Sequence, residues 1–150
     1  MTHYFNQPPT TALLLGAGGL IPYIVLSSLS VFSVGPQQEY LIFILLAYSA
    51  TIISFLGAIH WGLTMREALP DRLRLIWGVI PSLAAWISLI LNAPAGLCIQ
   101  IIVLWICLLV DTKTYPRHDL SKWLAMRLTL TLVASISLGT TTLNITFLAH

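Results

Sequence analysis

Charged side chains are scarce in this sequence. Asp, Glu, Lys and Arg make up 8% of its 150 residues, whereas a soluble globular domain contains about 25%. Hydrophobic residues make up 57%, and the mean hydropathy is +0.89. This balance excludes an ordinary water-soluble domain and predicts that most of the chain lies in lipid. The length suits a single domain.

Basic residues are missing from the start of the chain, and cysteines are rare throughout. The first 15 residues contain no Lys or Arg, so we expect neither a cleaved secretory signal nor an Arg-rich mitochondrial transit peptide. Cys98 and Cys107 lie nine residues apart, about 13 Å along a helix, which is too far for a disulfide. We expect both cysteines to be buried apolar fillers.

Long runs without any charge predict the membrane-spanning segments. Four such runs cover residues 1–38, 40–65, 75–110 and 128–150, and about 20 residues suffice for one helix to cross the hydrocarbon core. A Pro- and Gly-containing turn at 92–96 divides the third run into two spans. We therefore predict an all-α, five-transmembrane-helix bundle forming one domain over 1–150, with spans at about Thr11–Val34, Tyr40–Met65, Leu73–Leu91, Ala95–Thr112 and Lys122–Leu148.

All seven basic residues fall in or just beyond two loops on the same side of such a bundle. The positive-inside rule then predicts a cytoplasmic N-terminus and a C-terminus outside. Because these residues flank apolar spans, they indicate orientation and not a nucleic-acid surface. The expected partner is the lipid bilayer. The basic residues are Arg66, Arg72, Arg74, Lys113, Arg117, Lys122 and Arg127.

Three ionisable side chains are predicted to lie inside the membrane, where such groups are rare and often functional. They are His60, Asp111 and Arg127, all near the inner boundary. They could form one cluster in which Asp111 pairs with Arg127, and a structural salt bridge is favoured over catalysis. Three alternatives stay open: Arg127 snorkels to the interface, Asp111 ends its helix, or His60 bonds within its own helix.

Tryptophans near these residues allow a binding pocket. A pocket with walls of Trp61, Trp77 and Trp105 and a floor of His60 would suit a flat or amphipathic ligand. The alternative for Trp61 and Trp77, together with Trp123, is an aromatic belt at the interface, because all three fall within two turns of a basic loop. We predict no metal site and no catalytic residues, because a second membrane histidine for haem and further zinc ligands are missing. No cofactor is predicted, although a bound lipid or quinone is compatible with the sequence.

Small and polar residues at helical spacing predict close packing. The second span carries a small-residue ridge at four-residue intervals, which lets another backbone approach; its members are Ala50, Ser54, Ala58 and Gly62. The fifth span carries a polar stripe that favours interhelical hydrogen bonds over a wet path; its members are Arg127, Thr131, Ser135, Gly139, Thr142 and Thr146.

The segment Ser54-Phe55-Leu56-Gly57-Ala58-Ile59-His60-Trp61-Gly62 resembles a family of uncharacterised five-helix membrane proteins that includes mitochondrial transmembrane protein 69 and bacterial inner-membrane homologues. Further segments fit the same family: Leu15-Gly16 to Pro22, Trp77 to Pro81-Ser82-Leu83 and Trp86, and Asp111 with Trp123, Arg127, Leu128 and Thr131. The resemblance implies a multi-pass inner-membrane protein of no established activity. The expected lack of a transit peptide favours the bacterial inner membrane.

The leading functional hypothesis is a small non-catalytic membrane protein that binds a partner or an apolar or amphipathic ligand. An accessory or assembly subunit of an inner-membrane complex is one form of it. The first alternative is a transporter or proton-linked carrier that uses His60, Asp111 and Arg127. The second is a membrane enzyme acting on lipid or isoprenoid with His60 as general base. The sequence does not decide among them.

Overall fold

The computed structural model describes residues 8–148, and it is helical in every regular element of that range. Five helices are long and apolar enough to cross a membrane, which confirms the predicted all-α membrane bundle. Two 3-10 turns, Tyr115–His118 and Ser121–Trp123, join the last two helices, and a π-helical turn, Asn144–Leu148, follows them. The five helices are α1 (Thr10–Val31), α2 (Pro36–Thr64), α3 (Arg72–Leu89), α4 (Ala93–Thr114) and α5 (Leu124–Leu143).

The second helix starts earlier than the sequence predicted. Pro36 is its first residue and follows Gly35, whose φ of 64° turns the chain sharply after α1. Proline suits a first helical position because its missing N–H would have no partner there and its fixed φ matches the helix. The helix therefore begins at Pro36 and not near Tyr40, and with 29 residues it is the longest of the five.

The fourth helix reaches membrane-spanning length by including polar residues at its C-terminal end. Asn92 caps it by accepting a hydrogen bond from the N–H of Ala95 at 3.0 Å. The helix then runs for 22 residues to Thr114, about 33 Å at 1.5 Å per residue. Asp111 consequently lies inside the helix and is 2% exposed, so it does not occupy a loop.

The centre of the bundle is built around α2, which packs against α1, α3 and α4, while α5 packs against α1 and α4. Leu45 and Ile53 of α2 and Leu138 of α5 are fully buried there. Cys107 is buried as predicted, but Cys98 is exposed. The prediction was wrong for Cys98 because apolar composition alone does not show which side of a membrane helix faces lipid.

Helices α2 and α3 approach each other closely at Gly57 and Gly78. A Cβ atom at Gly57 would overlap the carbonyl oxygen of Gly78. On the predicted small-residue ridge, by contrast, Ala58 and Gly62 are exposed, and a Cβ at Gly62 would meet nothing within 4 Å. The ridge prediction is wrong for this half of α2, because the helix turns its Gly57 side towards α3.

Polar contacts hold both ends of the bundle. The end that carries the α2–α3 and α4–α5 loops, called the basic end here, has an ion pair between Glu67 and Arg74. Nε2 of His118 lies 3.6 Å from the same Glu67 carboxylate, so the two loops adjoin. Towards the opposite end, the hydroxyl of Ser27 on α1 donates to the carbonyl oxygen of Ser137 on α5 at 2.8 Å.

Candidate functional site

One carboxylate joins three helices near the basic end. Oδ1 of Asp111 on α4 lies 3.1 Å from Nε2 of His60 on α2. Its Oδ2 accepts a hydrogen bond from Nε of Arg127 on α5 at 2.8 Å. The three residues are 2%, 1% and 6% exposed, respectively. The structure therefore brings the three ionisable residues together, and Arg127 points into the bundle instead of snorkelling.

Charge compensation explains why this ion cluster can be buried. The Asp111 carboxylate only accepts hydrogen bonds, so Nε2 of His60 carries the hydrogen that it donates. A buried ion pair is tolerated when each charge has a close, hydrogen-bonded partner, and Asp111 and Arg127 meet that condition. The hydroxyl of Tyr115, which directly follows α4, interacts with both side chains of the pair. The ion cluster thus fixes α2, α4 and α5 relative to one another.

Several buried polar atoms around the ion cluster have no hydrogen-bond partner within residues 8–148. Nδ1 of His60 and Nη2 of Arg127 are two of them. A third is Nε1 of Trp77, whose ring stands edge-on to His60 with the ring centroids 6.4 Å apart. Buried polar atoms are normally paired in proteins. These three atoms therefore keep unused hydrogen-bonding capacity beside the ion pair.

An apolar cavity of about 400 Å³ lies between α1, α2 and α5 and extends to Arg127. Its volume falls within the range of about 300–1,000 Å³ that is usual for ligand pockets. Leu15 and Phe55 line it although they are 73% and 64% exposed. The cavity therefore opens past these two side chains to the surroundings of the bundle. Its wall is formed largely by apolar residues, among them Leu15, Leu20, Phe55, Ile59, Met126 and Leu130.

Two of the polar side chains that line this cavity belong to α5, and Tyr23, Tyr115 and Trp123 supply the others. Arg127 and Thr131 both line it, are 6% and 2% exposed, and lie four residues apart on one helix face. Oγ1 of Thr131, like Nη2 of Arg127, is buried without a hydrogen-bond partner among the described residues. Two unpaired hydrogen-bond donors therefore belong to the wall of a largely apolar space.

The cavity between α1, α2 and α5 differs from the predicted aromatic pocket. None of Trp61, Trp77, Trp105 or His60 lines the cavity. Trp61 instead donates from Nε1 to the carbonyl oxygen of Leu75 at 2.8 Å and so fastens α2 to α3. Trp77 contacts His60 as described above, and Trp105 is half-buried on α4.

Sequence reasoning missed the residues that create the cavity. Gly16 and Gly19 of α1 line it, and their three-residue spacing places them on one helix face. Gly16 lets the side chains of Met126 and Leu130 on α5 approach α1, since a Cβ there would lie 3.4 and 3.3 Å from them, whereas at Gly19 a Cβ would meet only the Tyr48 hydroxyl of α2, at 3.7 Å. Trp123 was interpreted as part of an aromatic belt, and it lines the same cavity. The glycines on one face of α1 are a sequence signal for a close neighbour there, but they do not show whether a cavity remains beside it.

The five apolar helices and their buried ion cluster define a multi-pass integral membrane protein. Residues 8–143 match the family described as protein of unknown function (DUF3429), and the chain belongs to this family. The resemblance that the sequence segments indicated is thereby confirmed.

Two animal proteins named transmembrane protein 69 are similar to this chain. The one from Xenopus tropicalis is 35% identical over 150 residues, which cover 97% of this chain and 58% of that protein. The one from Mus musculus is 28% identical over 138 residues, which cover 89% of this chain and 56% of that protein. The chain thus spans somewhat more than half the length of these relatives. No solved structure matches it.

Proposed function

We propose that this protein binds an amphipathic ligand of the membrane, without catalysis, in the cavity between α1, α2 and α5. The observation that carries this proposal is the pairing of apolar walls with two buried, unpaired donors, Nη2 of Arg127 and Oγ1 of Thr131. Ligand sites are typically apolar cavities with a few well-placed polar groups. The walls suit a hydrocarbon tail, and the donors suit a polar head.

The ion cluster supports a binding role over a catalytic one. Both oxygens of Asp111 are engaged, one by His60 and one by Arg127, so this carboxylate is held as a structural partner. A general base must also reach the proton that it removes, and His60 does not line the cavity. The carrier, membrane-enzyme and accessory-subunit hypotheses stay predictions.

The first test asks whether filling the cavity displaces a native ligand. Gly19→Leu adds a side chain at a lining position, and its Cβ would meet only the Tyr48 hydroxyl, at 3.7 Å. We expect about tenfold less co-purifying ligand, because overpacking a site costs about 1–3 kcal/mol. The measurement is mass spectrometry of lipids extracted from protein that was purified from native membranes.

The matched control is Gly18→Leu on the same helix. A Cβ at Gly18 would meet nothing within 4 Å, and the residue does not line the cavity, so ligand content should stay at the level of the unaltered protein. Equal lipid content in both variants and in the unaltered protein would contradict the proposal. A protein that co-purifies in stoichiometric amount, with no lipid sensitive to Gly19→Leu, would favour the accessory-subunit hypothesis instead.

We also propose that the basic end faces the cytoplasm, because the basic loops lie together at that end. The membrane in this proposal is the bacterial inner membrane. In a Cys98→Ala background, Leu69→Cys puts a thiol at an 88% exposed site of the α2–α3 loop, and Gln37→Cys puts one at the opposite end. We expect a membrane-impermeant maleimide to label Cys at position 37 in intact cells and at position 69 only after lysis. The reverse pattern would overturn this orientation.

A further inference from the structure

The geometry points to a ligand with an uncharged head that accepts hydrogen bonds through a carbonyl oxygen, carried on an apolar tail. This inference rests on the proposed function and adds the chemical class of the ligand. Quinones and the esters of neutral acylglycerols share that chemistry. The alternative class is the anionic lipids, whose phosphate or carboxylate would be attracted to the same arginine.

The charge of Arg127 is already balanced inside the protein. Its Nε donates to Asp111 at 2.8 Å, and the guanidinium is the one charged group among the described residues that line the cavity. With an anionic head at Nη2, the Asp111 carboxylate and the ligand would be two negative charges beside one buried positive charge, that of Arg127. Burying a charge without a partner is strongly unfavourable, so the balance of the site disfavours an anion.

The unpaired atoms match a neutral acceptor. Nη2 of Arg127 can only donate, and the hydroxyl of Thr131 can donate or accept; both are buried without partners. A carbonyl oxygen has two lone pairs and can accept from such donors without adding charge. Because Arg127 and Thr131 are one helical turn apart, a head with two separated oxygens, as in a quinone or a diacylglycerol, can engage each donor separately.

The lining residues also place the head and the tail. Tyr115 and Trp123 lie at the basic end, whereas Tyr23 and Ala134 lie deeper in α1 and α5. Arg127 is one turn from Trp123, so the head lies in the half of the membrane next to the basic end. The tail leaves the bundle between Leu15 and Phe55, the two lining residues that are largely exposed.

The test compares lipids that differ only in charge on the delipidated full chain, using native mass spectrometry to measure binding. Dioctanoylglycerol and dioctanoyl phosphatidic acid share both acyl chains, and decylubiquinone represents the quinones. We expect at least one of the two neutral ligands to bind at one per chain and about tenfold more tightly than the phosphatidic acid. Which neutral ligand binds more tightly then distinguishes the two sources.

Thr131→Val tests the second donor with little change of shape. The loss of one neutral hydrogen bond corresponds to about 2- to 10-fold weaker binding of the neutral ligand. Thr129→Val is the control, because Thr129 is exposed and its hydroxyl bonds to the carbonyl oxygen of Ala125. If the Thr131→Val variant binds the neutral ligand as tightly as the unaltered protein does, and melts at the same temperature, the inference is overturned.

The outcomes separate this inference from the proposed function. Tighter binding of phosphatidic acid, abolished by Gly19→Leu, would overturn the neutral-head inference and leave ligand binding in the cavity intact. If no lipid of either class binds in a way that Gly19→Leu weakens, both proposals fail. Neutral-lipid binding that Gly19→Leu abolishes and Thr131→Val weakens supports both.

Discussion

Asp111→Leu is expected to destabilise the folded protein by about 3–5 kcal/mol, because it leaves Arg127 as an unpaired buried charge and takes the acceptor from His60. The side chains of all three residues are at least 92% buried, so water cannot readily replace the lost partner. A loss of this size is a large share of the stability of a typical protein. Thermal unfolding of the purified protein in detergent measures it.

Two further variants show whether charge is the cause. Asp119→Asn removes an exposed carboxylate in the α4–α5 connection, at a φ of 57° that Asn tolerates, and should change stability by less than about 0.5 kcal/mol. Asp111→Leu combined with Arg127→Met removes both charges. We expect the double variant to regain more than half of the loss, since apolar pairs often replace buried ion pairs without cost. Equal loss in the single and double variants would contradict the ion-pair explanation.

The ion cluster could be foreseen from sequence because lipid restricts where charge can lie. His60, Asp111 and Arg127 were the ionisable residues predicted to lie inside the spans, and their depths could be estimated by counting from the basic loops. A charge at that depth favours a partner, so the pairing of Asp111 with Arg127 was one of the predicted arrangements, beside a snorkelling Arg127 and an Asp111 at the helix end. That His60 completes the same cluster depended on which helices touch, and the sequence left this open.

The helix ends were partly predictable. The predicted second span began at Tyr40, because Gly35 and Pro36 are typical of a turn and the residues between Pro36 and Tyr40 are polar. Pro36 in fact opens α2, and Glu39 lies in its first turn. Hydropathy measures the length in lipid and not the length of the helix, so polar turns at the ends of a span are easily left out.

The cavity and the α2–α3 contact could not be predicted, because the helices are apolar on nearly every side. In a soluble helix the polar side identifies the surface, whereas in lipid both the outward and the inward sides are apolar. Spacing therefore favoured the ridge that includes Ala58 and Gly62 as strongly as the side that contains Gly57. The structure shows Gly57 buried and Gly62 exposed, which only tertiary packing determines.

Gly57→Ala is expected to destabilise the bundle by about 2–3 kcal/mol, near the upper end of the usual cost of overpacking. The added Cβ would overlap the backbone carbonyl oxygen of Gly78 and touch Cγ of Pro81 at 3.4 Å. Neither atom belongs to a flexible side chain that can move aside, so α2 and α3 must separate. Separation would also strain the hydrogen bond from Trp61 to the carbonyl oxygen of Leu75. Thermal unfolding in detergent measures the loss.

Gly62→Ala is the matched control, because it makes the same chemical change on the same helix, five residues away and in open space. Ala is the better helix former by about 1 kcal/mol, so this variant should be as stable as the unaltered protein or somewhat more stable. The difference between the two variants then isolates the close approach of α2 and α3 from helix propensity. If Gly62→Ala destabilised the protein more than Gly57→Ala, the small-residue ridge would be the true packing surface and the α2–α3 contact described here would be wrong.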